Sequence, residues 1–500
     1  MLKIIALLAL LILLLVSCGE TSNNGTEINC YNGNGYCEEP PDTDHRPDIP
    51  RYNEYRVSLD IDPSARTVQG ISHITFSNRS GVELETIVLR VHLNAFREGA
   101  YPAPVFGELE WRAFPNGREY GYMDIQYAFL DNALLDFELD GTILTLNLPE
   151  PLAPYSTVQL LLQYNAQIPP ISHRTGANDH AMWFGMFLPI LAIFDNESGW
   201  NTDAHYPAGS PFFSETADYR VEITAPSRYT VVGTGLRTEE VIADTDIKIT
   251  HFVAQQARNF AFALSPYFQH AFTSTESGVA IHLYYYTESL DANKILNSAR
   301  RSMEYFENRV GIYPSGHVTI IETELMQDSA SFSQMVFVDS WYLNQRRRWA
   351  LGHALGNQWF ANVVGTNRVA EPWLTEGLTR FVQAELFYTT PEAFRNRMEN
   401  DHASIEERTT LFLNRGLGAS PNWSHYAHAH GRKAMLMMYA LHHRMGEEIF
   451  WEFIANYYQQ FSFEIATAND FIALAEEAYG NSLQEFFDEW LNAGTVPPLP

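Results

Sequence analysis

Two neighbouring stretches decide the fold of this 500-residue chain: residues 353–360 are HALGNQWF and residues 371–378 are EPWLTEGL. Each stretch has the character of a helix. Positions i and i+4 of a helix share one face, so the first helix directs His353 and Asn357 to the same side. Glu376 follows in the second helix. His353 and Asn357 are therefore the first candidates for a shared site.

Upstream of these helices, apolar and polar residues alternate with the period of half-buried strands. The alternating apolar residues include Tyr55, Val57, Leu59 and Ile61, and later Tyr219, Val221 and Ile223. This pattern predicts a β-sandwich-like domain over residues 51–272. Helical spacing begins at Ile295 and Ala299. Residues 273–500 are therefore predicted to form an α+β domain that ends in an α-helical tail.

Two finer predictions concern the helices. Residues 342–364 are predicted to form one helix that carries the first stretch. Residues 482–485 are SLQE, the Ser-x-x-Glu pattern of a capping box. This pattern predicts that Ser482 caps the last helix.

Charge and cysteine content exclude several classes of protein. The 32 basic and 60 acidic residues give a net charge of −28, which repels phosphate backbones, so no nucleic-acid partner is expected. The three cysteines, Cys18, Cys30 and Cys37, all lie near the start of the sequence. Neither a disulfide scaffold nor a cysteine-ligated metal can therefore organise the body of the protein.

Residues 1–17 have the pattern of a signal peptide, with a short positive start and an apolar run over residues 4–16. Residues 15–18 are LVSC, which resembles a bacterial lipobox. That resemblance implies cleavage before Cys18 and a lipid on its thiol, which would anchor the protein to a membrane of the bacterial cell envelope, outside the cytoplasm. The alternative is an uncleaved anchor helix with an incidental cysteine.

Residues 18–50 lack apolar periodicity and are predicted to be a flexible tether. Cys30 and Cys37 lie within it, and in an oxidising compartment two thiols at this spacing favour a disulfide-closed loop. A metal clip is the alternative. It is less favoured because His45 is the only histidine nearby to complete a zinc set.

The two stretches quoted first resemble the aminopeptidase N family of gluzincin zinc metallopeptidases, in particular its shorter bacterial lipoprotein-type members. The family pattern is H-E-x-x-H, eighteen residues, and then E within W-L-x-E-G; here residues 358–375 separate Asn357 from Glu376. Further similarity lies at residues 94–96 (NAF) and 214–219 (SETADY). The resemblance implies an N-terminal aminopeptidase β domain, a thermolysin-like α+β domain and a zinc-dependent peptidase activity.

The site itself departs from the family pattern at two positions of the helix. His353 and Glu376 stand at the first and third ligand positions, but Asn357 replaces the second histidine and Ala354 replaces the catalytic glutamate. An amide oxygen is a poorer zinc ligand than imidazole nitrogen. A methyl group accepts no proton, and loss of a general base typically costs about 10²- to 10⁴-fold in rate.

Two further family positions also differ. The glutamate that grips a substrate's free amino terminus corresponds to Ser331, and the transition-state tyrosine corresponds to His428. Tyr426 is the alternative if the register slips by two residues. Four altered positions in one site predict a fold that is kept and a peptidase chemistry that is lost.

The sequence leaves alternative interpretations for the candidate site residues. His353 is either a core histidine or a residual metal ligand, and the carboxylate of Glu376 is favoured near a helix start with or without a metal. A relocated zinc site could combine His353, Glu376 and His428. The leading hypothesis is a lipid-anchored pseudopeptidase without a cofactor, whose cleft binds a peptide or protein segment. The alternatives are an active zinc aminopeptidase with a rearranged site and a purely structural surface lipoprotein.

Overall fold

The computed structural model describes residues 49–244, 246–344 and 348–500. The predicted signal peptide, the lipidated Cys18 and the Cys30–Cys37 loop lie outside the described residues, as does nearly all of the tether. No helix in the described ranges is both long and apolar enough to cross a bilayer.

The N-terminal part is built from strands, as the alternating pattern predicts. Its strands are β1 (Asn53–Asp62), β2 (Thr67–Ser77), β3 (Leu84–Arg90), β4 (Tyr122–Leu130), β5 (Ala133–Leu134), β6 (Phe137–Asp140), β7 (Ile143–Leu152), β8 (Thr157–Gln167), β9 (Thr175–Ala177), β10 (Met182–Phe184), β11 (Ile190–Leu191), β12 (Phe194–Asp195), β13 (Gly199–Trp200), β14 (Ala217–Pro226), β15 (Thr230–Gly233), β16 (Leu236–Asp244), β17 (Ile247–Ala257) and β18 (Phe262–Ser265). The short helix α1 (Glu110–Ala113) and the 3₁₀ turns His92–Phe96 and Gly107–Leu109 interrupt them.

Three sheets share the core of this part. One has eight strands in the order β16-β17-β14-β1-β2-β8-β4-β5, and two have four strands each, in the orders β15-β18-β10-β9 and β11-β3-β7-β6. Residues Tyr55, Val57, Leu59 and Ile61 of β1 are at most 2% exposed, while the residues between them face outward. The alternation in the sequence therefore matches the buried and exposed faces of the strands.

The C-terminal part begins with a five-stranded sheet and continues as helices. Its strands are β19 (Gln269–Ser274), β20 (Ala280–Tyr285), β21 (His317–Thr323), β22 (Ser329–Phe332) and β23 (Met335–Asp339). Its helices are α2 (Ala292–Arg309), α3 (Ser340–Asn344), α4 (Arg348–Asn357), α5 (Pro372–Phe387), α6 (Pro391–Ala403), α7 (Trp423–Tyr426), α8 (Ala434–Met445), α9 (Glu447–Gln460), α10 (Ala468–Tyr479) and α11 (Gln484–Asn492), with a 3₁₀ turn at Leu417–Ala419.

The sheet of this part has the order β19-β20-β21-β23-β22, with β20, β21 and β23 parallel and the two outer pairs antiparallel. Together with the strand-rich first part, it confirms the predicted fold class. All described residues belong to one compact unit. The predicted boundary at residue 272 falls inside β19 and stays a prediction.

Two helix predictions need correction. Instead of one regular helix over residues 342–364, α4 ends at Asn357 and continues as a π-helical turn over Gln358–Val363. Ser482 does not form the predicted capping box, because its hydroxyl donates to Glu476 of the preceding helix and α11 has Leu483 at its N-cap without a side-chain cap. The capping box of the described chain's C-terminal region lies at the start of α10, where Thr467 and Asp470 bond reciprocally.

A buried arginine ties the end of β17 to the helices. The guanidinium of Arg258 donates to the carbonyls of Asn362, Val363, Ser214 and Glu464 at 3.1, 3.0, 3.2 and 2.5 Å. Two of these carbonyls belong to the π-helical turn that follows α4. Arg258 therefore fixes the α4 extension against the β-rich part.

Replacing Arg258 by glutamine should lower the free energy of unfolding by about 3 kcal/mol, because four buried carbonyls lose a charged donor. Urea unfolding followed by circular dichroism measures the change. The matched control is Arg237→Gln, whose side chain is about half exposed and pairs with Glu240 on the surface, where an ion pair contributes little. Equal effects of the two substitutions would contradict the assigned role of Arg258.

Candidate functional site

Helices α4 and α5 bring together the candidate residues of the two sequence stretches. α4 carries His353, Ala354 and Asn357, and α5 carries Glu376. The Nε2 atom of His353 lies 3.5 Å from Oε2 of Glu376, and both side chains are about 90% buried. The predicted first and third positions therefore meet directly.

Asn357 also contacts His353, through its amide nitrogen and not its amide oxygen. Its Nδ2 lies 3.3 Å from Nε2 of His353, and its Oδ1 accepts a hydrogen bond of 3.0 Å from the hydroxyl of Thr379. The Thr379 bond orients the amide so that its NH₂ group faces the imidazole. In this orientation Asn357 is a neighbour of His353 and supplies no metal-binding atom at that point.

The buried carboxylate of Glu376 is neutralised by cations. Nε of Arg380, one helical turn further along α5, donates to Oε2 at 2.9 Å. Burial opposes ionisation, but His353, Arg380 and Arg368 outweigh it and hold the pKa of the Glu376 carboxyl well below its usual range. Gly431 lies opposite this pair, and a Cβ there would come within 3.2 Å of Nε of Arg380, so a larger residue would have to displace the guanidinium slightly.

The two other altered positions have structural contacts. Ala354 is 1% exposed and packs its methyl group in the core of the C-terminal part. The hydroxyl of Ser331, on β22, accepts hydrogen bonds from the amides of Gln358 and Asn362 at 2.9 and 3.0 Å. Ser331 thus ties β22 to the extension of α4, and neither residue offers a carboxylate.

The structure places Tyr426 and His430, and not His428, beside Glu376. The hydroxyl of Tyr426 interacts with the Glu376 carboxylate, and Glu376 also acts on His430. His428 instead lies within 3.3 Å of Ser424 and near Arg408 and Arg432, away from the pair.

The prediction that His428 faces the cleft is therefore wrong in this structure, and so is the relocated ligand set of His353, Glu376 and His428. The physical reason is the π-helical geometry over Ala427–Lys433, which changes the face that each residue occupies. Burial raises the pKa of Tyr426 above its usual value and lowers that of His430 to about 4, so both are neutral at pH 7.

Three arginines near Glu376 were missed in the sequence. Arg380 had a readable signal, since a cation four residues after a carboxylate lies on the same helix face. No sequence pattern indicated Arg368, in the turn before α5, or Arg174, just before β9. Both act electrostatically on the Glu376 region. Arg174 arrives there only through the packing of the β-rich part.

A zinc ion does not fit the residues present. His353 and Glu376 offer two ligand atoms, whereas catalytic zinc sites use three protein ligands. Glu376 is already paired with Arg380. A ligating histidine normally donates its second ring nitrogen to a partner, but Nδ1 of His353 is buried without one among the described residues. In that same part of the chain, no group of three His, Cys, Asp or Glu side chains is placed to hold a metal.

Comparisons with known proteins place this geometry in a family context. The sequence profile of the Peptidase family M1 domain matches residues 315–490. A probable aminopeptidase 1 from Sulfurisphaera tokodaii is 24% identical over 196 residues, which are 37% of this chain and only 23% of that relative. The chain thus spans about a quarter of the curated relative's length.

Solved structures show the same fold. The crystal structure of an M1 zinc metallopeptidase from Deinococcus radiodurans has a TM-score of 0.68 at 17% identity, covering 90% of this chain and 96% of that one. A mutant from the same organism, bound to a Tyr-Ser-Ala substrate, has a TM-score of 0.67 at 16% identity with the same coverage. These similarities extend over both the β-rich part and the helical part.

Replacing Glu376 by glutamine should lower the free energy of unfolding at pH 7 by about 3–5 kcal/mol, because Arg380 loses its buried counter-charge. The depressed pKa stabilises the fold above the unfolded-state value of about 4.3, and this stabilisation declines as the pH falls below it. The gap between wild type and variant should therefore narrow from pH 7 to pH 3 in urea unfolding.

The matched control is Glu477→Gln on the exposed face of α10, which should change little at any pH. A wild-type advantage over the Glu376 variant that stays constant across this pH range would contradict the assigned ion pair.

Proposed function

We propose that the protein, whose residues 315–490 match the Peptidase family M1 domain, belongs to that family, keeps the family's cleft as a binding site and does not hydrolyse peptides. One observation carries the proposal: Arg380 and His353 directly contact the carboxylate that stands at the third ligand position. A guanidinium supplies the positive charge that the carboxylate needs, and it cannot activate water as a metal does.

The absent general base supports the same proposal. Ala354 stands one residue after His353 and is packed in the core. Loss of a general base alone typically costs about 10²- to 10⁴-fold in rate. The loss of a zinc ligand at Asn357 adds to this cost, because the metal that lowers the pKa of the attacking water would be held by too few ligands.

The ligand that we propose is a peptide or protein segment. The Deinococcus radiodurans relative binds a Tyr-Ser-Ala substrate, and the present chain has the same fold over 90% of its length. Retention of the fold with an altered centre favours binding over a purely structural surface role. A structural role predicts no saturable peptide binding.

The full chain is expected to purify with substoichiometric zinc and to leave aminoacyl fluorogenic substrates uncleaved. The double variant Ala354→Glu with Asn357→His should bind little zinc, because Arg380 is still paired with the Glu376 carboxylate. The triple variant that adds Arg380→Ser should gain it. Elemental analysis after dialysis against zinc, followed by a peptidase assay, measures both effects.

The matched control is the triple variant with Arg380→Lys, which keeps a cation beside Glu376 and should stay poor in zinc. Stoichiometric zinc and peptide turnover in the wild-type chain would overturn the proposal in favour of an active peptidase with a rearranged site.

We also propose an extracytoplasmic, lipid-anchored location in the bacterial cell envelope. It is supported by the LVSC motif at residues 15–18 and by the apolar run before it. Metabolic labelling with a fatty acid in a bacterial host should label the wild-type chain and fail to label the Cys18→Ala variant, with Cys30→Ala as the matched control. Equal labelling of wild type and Cys18→Ala would contradict the anchor.

A further inference from the structure

The surroundings of Glu376 carry more positive than negative charge. The guanidinium groups of Arg174, Arg368 and Arg380 all act electrostatically on this region. Among the described residues, the carboxylates that act on them are Glu376 and, for Arg380, Asp328. Because the whole chain has a net charge of −28, a local excess of cations in its interior is a specific feature of this site.

The three arginines differ in how they are held. Arg380 is paired with Glu376. Arg174 donates to the carbonyl of Gly209 and, at 3.3 Å, to the hydroxyl of Ser210, and burial with the nearby Arg368 charge lowers its pKa to about 9. Within the described parts of the chain, no hydrogen bond or ion pair engages the guanidinium of Arg368.

Arg368 lines a small cavity between the β-rich part and the helices. Its volume is about 20 Å³, which is room for a water-sized group or slightly more. Other lining residues are Asn259, Ser331, Asn362, Thr366 and Phe332. No acidic side chain is among the described residues that line it.

Most side-chain polar groups of this cavity that remain available are donors, although Oδ1 of Asn362 also has no partner among the described residues. Oδ1 of Asn259 accepts from the backbone N–H of Ser333 at 3.1 Å, while its NH₂ group has no partner among the described residues, although Asn259 is only 8% exposed. The Ser331 hydroxyl oxygen already accepts twice, so its proton is left to donate. Arg258, which also lines the cavity, donates four of its five N–H groups to backbone carbonyls.

A cavity with an unpaired guanidinium and two unsatisfied donors favours an acceptor with negative charge, and it disfavours an ammonium group. We infer that the cavity beside Arg368 holds a carboxylate of the bound peptide. This inference rests on the proposed function and specifies its ligand. The small volume suits a small group at the end of a chain, such as a carboxylate, with the rest of the peptide outside.

Binding of acetylated peptides to the full chain tests the inference. The probes are acetyl-trialanine with a free C-terminal carboxylate, its C-terminal amide, acetyl-glutamate amide, acetyl-glutamine amide and trialanine amide with a free amino terminus. Isothermal titration should show that each acid binds about tenfold or more tightly than its matched amide, since a charge-assisted hydrogen bond is lost in the amide. The tighter of the two acids identifies a C-terminal or a side-chain carboxylate as the group recognised.

Three variants locate the effect. Arg368→Gln should abolish the preference for acid over amide, and Arg368→Lys should restore part of it. The isosteric change Asn259→Asp places a carboxylate in the cavity while keeping the acceptor for Ser333, and it should weaken acid binding while the thermal unfolding midpoint shows that the fold is kept. Arg300→Gln on the surface of α2, which removes an equal charge elsewhere, is the matched control and should change nothing.

Equal affinity for acid and amide, absence of acid binding, tighter binding of the free-amine probe, or an unchanged preference in Arg368→Gln would each overturn the inference. Its failure is distinct from failure of the proposed function. Turnover of a peptide with an acid preference would overturn the non-catalytic proposal alone, whereas binding without turnover and without an acid preference would overturn the inference alone.

Discussion

The site depends on one constraint: a carboxylate buried at the start of α5 needs a positive partner. An unpaired buried carboxylate is unfavourable by several kcal/mol, so Glu376 can stay ionised in the interior only beside a cation. Arg380 meets this need from within the chain at 2.9 Å, and Nε2 of His353 lies 3.5 Å from the same carboxylate oxygen. A metal ion is one solution to the same constraint, and a guanidinium is another.

The neighbouring residues are consistent with the second solution. Thr379 turns the amide of Asn357 so that its NH₂ group faces His353, and Ala354 fills core space. On the other side, Ser331 binds the amides that follow α4, and Arg258 holds the same segment through its carbonyls. The altered positions thus have their own contacts and form a packed centre.

Much of this arrangement could be predicted from the sequence, where the cause was local. Period-two alternation located the strands and helical spacing located α2, while the resemblance to the family pattern, with its 18-residue interval between Asn357 and Glu376, brought the two helices into one site. The offset between Tyr426 and His428 could not be decided, because it depends on a π-helical turn. The positions of Arg368 and Arg174 near Glu376 could not be predicted either. They depend on tertiary packing, which brings distant segments of the chain together.

The central claim is that an arginine takes the place of a metal at Glu376. The thermal unfolding midpoint of the full chain, measured against free zinc concentration, tests it most directly, because a ligand that binds the folded state raises this midpoint in a saturable way. The account predicts a midpoint that zinc and chelator leave unchanged. A saturable rise with zinc, reversed by chelator and lost in His353→Ala, would contradict it.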